Sequence, residues 1–357
     1  MSPANFEISA DLLALLRQPL PQTPGQDPAQ AFFAQPQMQA FLQQAHQPAQ
    51  TAAALQACAA LLPELPAQNA ALLALMGGSL VEDGADPRIL FPVCLQLLDH
   101  WLQQLQPFCA ADTRADPEPD PQDIEIWHQV QQRLQALPAP QRAGIEALQQ
   151  AVEWLVLPVM TMVLRDEGNH AAFIAQTRLQ AMLEPMYCND SLPLEQLYYP
   201  IQAAAISYED ELVVVLPTSR TGFVARVHAA NNGFHAFSML QGVIRAHAKA
   251  LNIRPALLTS PTSHAEEEDS DSALFQWLQA SAYAQGTLVN PMAWAFGEAP
   301  LRSFAMRHGK RVLIALDSDS GPRRGWSGFT SPCHDAQNPH AIFKRYLSPV
   351  EVAAFLA

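Results

Sequence analysis

Histidines placed three residues after a glutamate are the first groups in this chain whose type and spacing suit chemistry. Two such pairs occur, Glu125/His128 and Glu167/His170. In di-metal carboxylate bundles, two Glu-x-x-His pairs and a glutamate from each of two further helices hold the ions. Glu146 and Glu153 lie between the pairs here, in suitable order. Helical geometry argues against the full set. Ile124, Trp127, Val130, Leu134 and Leu137 define an apolar stripe. At about 100° per residue, Glu125 falls opposite that stripe and His128 at its edge. The second pair reaches a buried stripe only if a helix runs unbroken through Gly168-Asn169. The plainer expectation is a solvated face and a helix junction, with Glu167 and His170 kept as metal candidates.

Cys333, His334 and His340 offer a thiolate and two imidazoles, groups that pair in nucleophilic catalysis or ligate zinc. Adjacent side chains do not readily face each other, and a structural zinc needs a fourth ligand. Asp335, His308 and His264 are equally eligible for that place. The alternative is a polar loop with ordinary histidines and an incidental thiol. Asp317-x-Asp319 follows an apolar strand, as in haloacid-dehalogenase-type phosphatases, but too little chain follows for the large domain those enzymes require. An EF-hand loop fails as well, because Gly321, Pro322 and Gly328 occupy its positions five, six and twelve. Gly325-Trp326-Ser327-Gly328 has the wrong spacing for a nucleophile elbow. No GxGxxG or Walker loop occurs, so the sequence specifies no cofactor.

A third set is Arg220, Arg226 and His235. They would converge on an anion if the NNGF turn at 231–234 left free N–H groups at a helix N-terminus. Alternation along the strand also permits Arg226 simply to lie on the wet face of a sheet.

The elements that must position these groups follow from composition and pattern. The chain has 357 residues, 49% apolar and 15% charged, enough for two domains with a core each. A net charge of -14 argues against a nucleic-acid surface and suits solubility or a basic partner. Five cysteines without a CxxC imply a reducing compartment. The first residues carry Glu7 and Asp11 and no basic leader, so no signal peptide is expected. No apolar run reaches the roughly 18 residues of a membrane span.

Up to about 190, Ala, Leu and Gln at helical spacing predict helices over 6–17, 29–46, 49–62 and 66–80. Another is expected to open at Asp86-Pro87 and run through RILFPVCLQLLDHWLQQL, central to the bundle. Further helices follow from about 123 to 136, from Pro140 with a kink at Pro158, and over HAAFIAQTRLQAML. Beyond 190, IQAAAISYED, ELVVVLP and FVARVHAA predict three strands, with Gly222 supplying positive φ in the turn between the last two. A helix over 234–251, a short helix at ALFQWLQASAY, a buried strand over 310–317 and an irregular stretch come next. SPVEVAAFL closes the chain with Ser348, Pro349 and Glu351 forming a capping box.

Four ordered stretches, LMGGSLVEDGADP (75–87), VEWLVLPVMTMVLRD (152–166), ELVVVLPTSRTGFVARVHAANNGFHAFSMLQGVI (211–244) and HGKRVLIALDS (308–318), resemble a family of uncharacterised bacterial proteins. The four stretches make up about a fifth of the chain. It implies one continuous architecture and transfers no catalytic residue. The sequence thus predicts an α+β protein: a mostly helical domain over 1–190, then a smaller mixed domain over 191–357 with a hairpin-containing antiparallel sheet. The leading functional expectation is a cytoplasmic bacterial binding or accessory protein. Its expected partner is another protein, not nucleic acid or membrane, with a small-molecule ligand also admitted. The rivals are a metal-dependent enzyme with a site at the domain interface and a small-anion binder at 220–235.

Overall fold

The structure, a computed structural model, describes residues 6–20, 25, 27–112, 118, 120–208, 210–254, 275–317 and 338–357. It is α+β: a helical N-terminal region followed by a strand-containing C-terminal one. The chain divides into two compact units, Met1–Ala204 and Ala205–Ala357. No helix among the described residues is long and apolar enough to cross a membrane.

The helical unit comprises α1 (Ala10–Leu16), α2 (Pro28–Phe33), α3 (Pro36–Ala45), α4 (Thr51–Leu61), α5 (Ala67–Glu82), α6 (Phe91–Leu105), α7 (Pro121–Ala136), α8 (Ala139–Val163), α9 (Glu167–Ile174), α10 (Thr177–Tyr187) and α11 (Tyr198–Ala204). Side-chain caps set several starts. Ser9, Asp27, Asp120 and Asp166 each accept a backbone N–H of the first turn, with proline at the opening of α2 and α7. The centre is α5, buried almost all round, and it packs mainly on α8. Helix α6 was expected there, yet it is amphipathic: Phe91, Cys94, Leu98, Trp101 and Leu105 are buried while Pro92, Gln96 and His100 face out. It also starts later than expected, at Phe91. Asp86 accepts instead from the Arg88 backbone and guanidinium.

Pro158 lies inside α8 without ending it. Its ring fills the space left by Gly78 of α5, where a side-chain carbon would lie 2.9 Å from the proline Cβ. The single helix predicted from His170 is two, α9 and α10, and Pro185 falls within α10 rather than closing it. Residues 201–210 do not form the predicted strand. Tyr198–Ala204 is helical and packs on α8, α9 and α10, Ser207 makes an isolated strand-like pairing with Ala230, and Asp210 opens the following strand.

The second unit contains β1 (Asp210–Leu216), β2 (Thr221–His228), α12 (Gly233–Ala246), β3 (Phe275–Gln279), β4 (Tyr283–Ala284), β5 (Thr287–Leu288), β6 (Met306–Arg307), β7 (Lys310–Asp317), β8 (His340–Tyr346) and α13 (Pro349–Leu356). The main sheet has the order β3-β7-β1-β2-β8, with β6 added to β7. Strands β1 and β7 are parallel and the other pairings antiparallel. Alternation sends Leu212, Val214, Phe223, Ala225 and Leu313 against α12. It sends Val213, Val215, Val224, Val312 and Ile314 against α13. Burial on both faces is what gives β1 and β7 their unbroken apolar runs.

Three expectations for this unit are corrected. Phe275–Gln279 is a strand, not a helix, its aromatic residues 275 and 277 alternating onto the α12 face. His340, read as the end of an irregular stretch, opens a strand, His340–Tyr346, whose remaining residues the sequence left unassigned. In the β1–β2 turn it is Arg220, at φ 52°, that takes the left-handed conformation. Gly222 lies within β2 opposite Val215, and its hydrogen is needed for a different reason. A side-chain carbon there would be 2.6 Å from the Val214 carbonyl oxygen and 2.7 Å from Leu347 Cδ1.

Candidate interaction surface

The anion trio is not brought together. Arg220 ends the hairpin loop and Arg226 lies six residues on, about 20 Å along an extended strand. Arg226 alternates with Ala225 and Val227, which face α12, so it projects to the other side of the sheet from His235. Its cross-strand partner is Glu211, which itself binds Lys310 at 2.6 Å. Like-faced opposite charges of this kind support a sheet rather than a ligand.

The N-terminus of α12 is already occupied. Gly233 N–H donates to Ala299 O at 3.0 Å and Phe234 N–H to Gly297 O at 2.7 Å. His235 N–H donates to the Asn232 side chain at 3.0 Å. His235 itself is buried, its Nδ1 accepting from Asn231 N–H at 3.3 Å. The donors expected to hold an anion hold the chain's own oxygens.

The metal candidates among the described residues form no cluster. Glu125 and His128 are exposed, as helical geometry requires. Glu167 is exposed, whereas His170, three residues on, is buried with Nε2 donating to Ala203 O at 2.9 Å. The pair does not converge. Cys333 and His334 lie outside the described residues, and His340 stands at the start of β8. Among the described residues there is no group of three or more His, Cys, Asp or Glu able to hold an ion. Asp317 ends β7 and accepts from Arg254 Nε at 3.2 Å.

Glu153 is an acid of the helical unit whose carboxyl is perturbed upward. Burial on α8 pushes its carboxyl up to about 6 from an ordinary 4.5; the Gln196 N–H it accepts works the other way, and Glu195 nearby adds to the rise. A carboxyl that holds its proton more tightly when folded opposes folding where it is ionised, above about pH 6, and ceases to do so as pH falls toward 4.5. Glu153→Gln is therefore expected to raise stability at pH 7.5 by about 1 kcal/mol, discounted for partial solvent access, and to leave it unchanged near pH 4.5. Urea titrations at the two pH values measure the difference.

A groove of about 450 Å³ beside α6 and α9 is lined by Arg88, Phe91, Leu95, Asp99 and Asn169. Its carboxylate is committed, since Asp99 is held by Arg178 and Gln103.

The distinctive surface lies in the second unit, at the outer edge of β3. Ala295 N–H donates to Trp277 O at 3.0 Å and Gln279 N–H to Ala293 O at 2.8 Å, so residues 293–295 pair with that edge. The side-chain pattern is inverted relative to an ordinary edge. The small residues Ala293, Ala295 and Gly297 face the protein, Gly297 closely enough that a side-chain carbon would lie 2.3 Å from the Phe234 ring. The large apolar residues between them face out: Met292 is 70% exposed, Trp294 47% and Phe296 66%. The indole of Trp294 is fixed by its N–H donating to Pro291 O at 3.1 Å. Alternating large and small residues in MAWAFG carry the signal, which is legible only once β3 is known to be a strand. Exposed large apolar residues carried together on a backbone paired to a sheet edge mark binding surfaces.

No protein-family model, no curated protein and no solved structure matches this chain.

Proposed function

We propose that this chain is a binding or accessory protein of the bacterial cytoplasm, which acts by docking another protein onto the Met292–Trp294–Phe296 stripe. The carrying observation is that outward stripe on a backbone pinned to β3. Preordered aromatic anchors keep more of their burial energy on association because little rotamer freedom is lost. A net charge of -14 suits a basic partner, which it would steer, and opposes nucleic acid. Free thiols at Cys58, Cys94, Cys109 and Cys188 support a reducing compartment. The resemblance of four ordered stretches to a bacterial family supports the bacterial origin.

The test compares wild type with Trp294→Ser/Phe296→Ser as baits, followed by titration of the purified partner. Both positions are exposed, so melting temperatures should agree. Partner affinity is expected to fall at least about 30-fold, or about 2 kcal/mol, in the variant. Equal affinity for both baits, or no protein retained by wild type, would refute the proposal.

A further inference from the structure

At the far edge of the same sheet, the last residue of β2 and the first residue of β8 are histidines placed directly opposite each other, His228 and His340. Their rings are tilted by 32° with centroids 5.1 Å apart. We infer that this cross-strand pair is a bis-imidazole site for a divalent late transition-metal ion, with copper(II) bound most tightly.

The separation is what a shared ion demands. An imidazole nitrogen sits about 2.0 Å from such an ion, which places each ring centre about 3.2 Å away. For ligand angles between about 90° and 109°, the two ring centres then lie about 4.5–5.2 Å apart. The observed spacing falls within that interval.

The tautomer is prepared on one side. His340 Nδ1 lies 2.7 Å from the carbonyl oxygen of Asn338, which can only accept, so Nδ1 carries the proton and Nε2 the lone pair. Asn338 holds φ 50°, a left-handed conformation that asparagine tolerates, and this turn directs its carbonyl back to the ring. A carbonyl behind the distal nitrogen is the usual support of a ligating histidine. Tyr208 stands edge-on to His228 with centroids 5.3 Å apart, which confines that ring. The next residue of β2 on this face, Arg226, has Glu211 opposite it, and Glu211 also binds Lys310. Imidazole donors and the usual order of divalent affinities place copper(II) ahead of nickel(II) and zinc(II).

Calorimetric titration of the full chain with copper(II) and with zinc(II), in wild type, His228→Asn, His340→Gln and the double variant, tests the site. One copper(II) per chain is expected, with affinity at least about 30-fold weaker in each single variant and no further loss in the double. The electron paramagnetic resonance spectrum of the copper(II) form should show coupling to two imidazole nitrogens, lost in either variant. Zinc(II) should raise the thermal midpoint of wild type only. Melting curves without metal confirm that the variants fold. Unchanged affinity in either single variant, or a spectrum unaltered by both, would overturn the assignment.

Discussion

Gly78→Leu is expected to destabilise the helical unit by at least about 3 kcal/mol, the upper end of what overpacking a core costs. The position lies in the most buried helix, α5, and a first side-chain carbon would already stand 2.9 Å from Pro158 Cβ and 3.0 Å from its Cα. A proline ring cannot rotate away, and its Cα belongs to the backbone of α8. The helices would have to separate along their main contact. Gly77 differs, because the atom it would meet at 2.4 Å is the end of the Leu90 side chain, so Gly77→Ala should cost less. Gly144→Ala is the opposite control. Nothing lies within 4 Å of a carbon added there, and alanine in a helix interior is favoured over glycine by about 1 kcal/mol, so stability should rise. Urea-induced unfolding followed by circular dichroism gives all three values. Gly78→Leu within about 1 kcal/mol of wild type would mean that α5 and α8 are not packed as described.

Gly222→Val should cost the sheet unit about as much, at least about 3 kcal/mol. One obstacle is the Val214 carbonyl oxygen across the hairpin and the other is Leu347, which leads into α13. The first is backbone in a central strand and cannot give way without breaking the ladder between β1 and β2. Leu347 N–H also donates to Gly222 O at 2.9 Å, so displacing residue 222 disturbs the entry to the last helix. Hydrogen exchange localises the loss: amides of β1, β2 and α13 should lose protection while α5 and α8 keep theirs. Uniform protection in the variant would contradict the close approach. By contrast, the ion pair of Glu351 with Arg345, which holds the Glu351 carboxyl down to about 2, lies at the solvent-accessible surface and is expected to matter mainly as part of the cap at Ser348.

Much of the architecture was legible because one residue type dominated each local decision. The run Leu212–Leu216 has no polar alternative, and Ser348, Pro349 and Glu351 satisfy a cap by their own side chains. Errors arose where a distant partner decided. Gln276, Leu278 and Gln279 favour a helix, yet pairing with β7 makes them strand. IQAA at 201–204 joined the helices because α8 to α10 offered an apolar surface. The convergence expected at the α12 N-terminus was illegible for a related reason. Nothing near Asn232 in the sequence indicates that Gly297 and Ala299 will fill the donors of α12, or that Arg226 and His235 will face opposite ways. The His228–His340 pairing likewise depends on a register between residues more than a hundred positions apart.

The parallel pairing of β1 with β7 has a consequence for how the chain is made. Leu212–Val215 joins Arg311–Ile314, so the middle of the sheet closes only after about a hundred further residues have been synthesised. Until then the β1–β2 hairpin emerges from the ribosome with both flanks open and with Val213, Val215 and Val224 uncovered by the C-terminal helix. Loop closure over such a span makes folding slow and exposes strand edges to other chains. The second unit is thus expected to fold after translation rather than during it, and a nascent chain halted before residue 310 should be a substrate for chaperones.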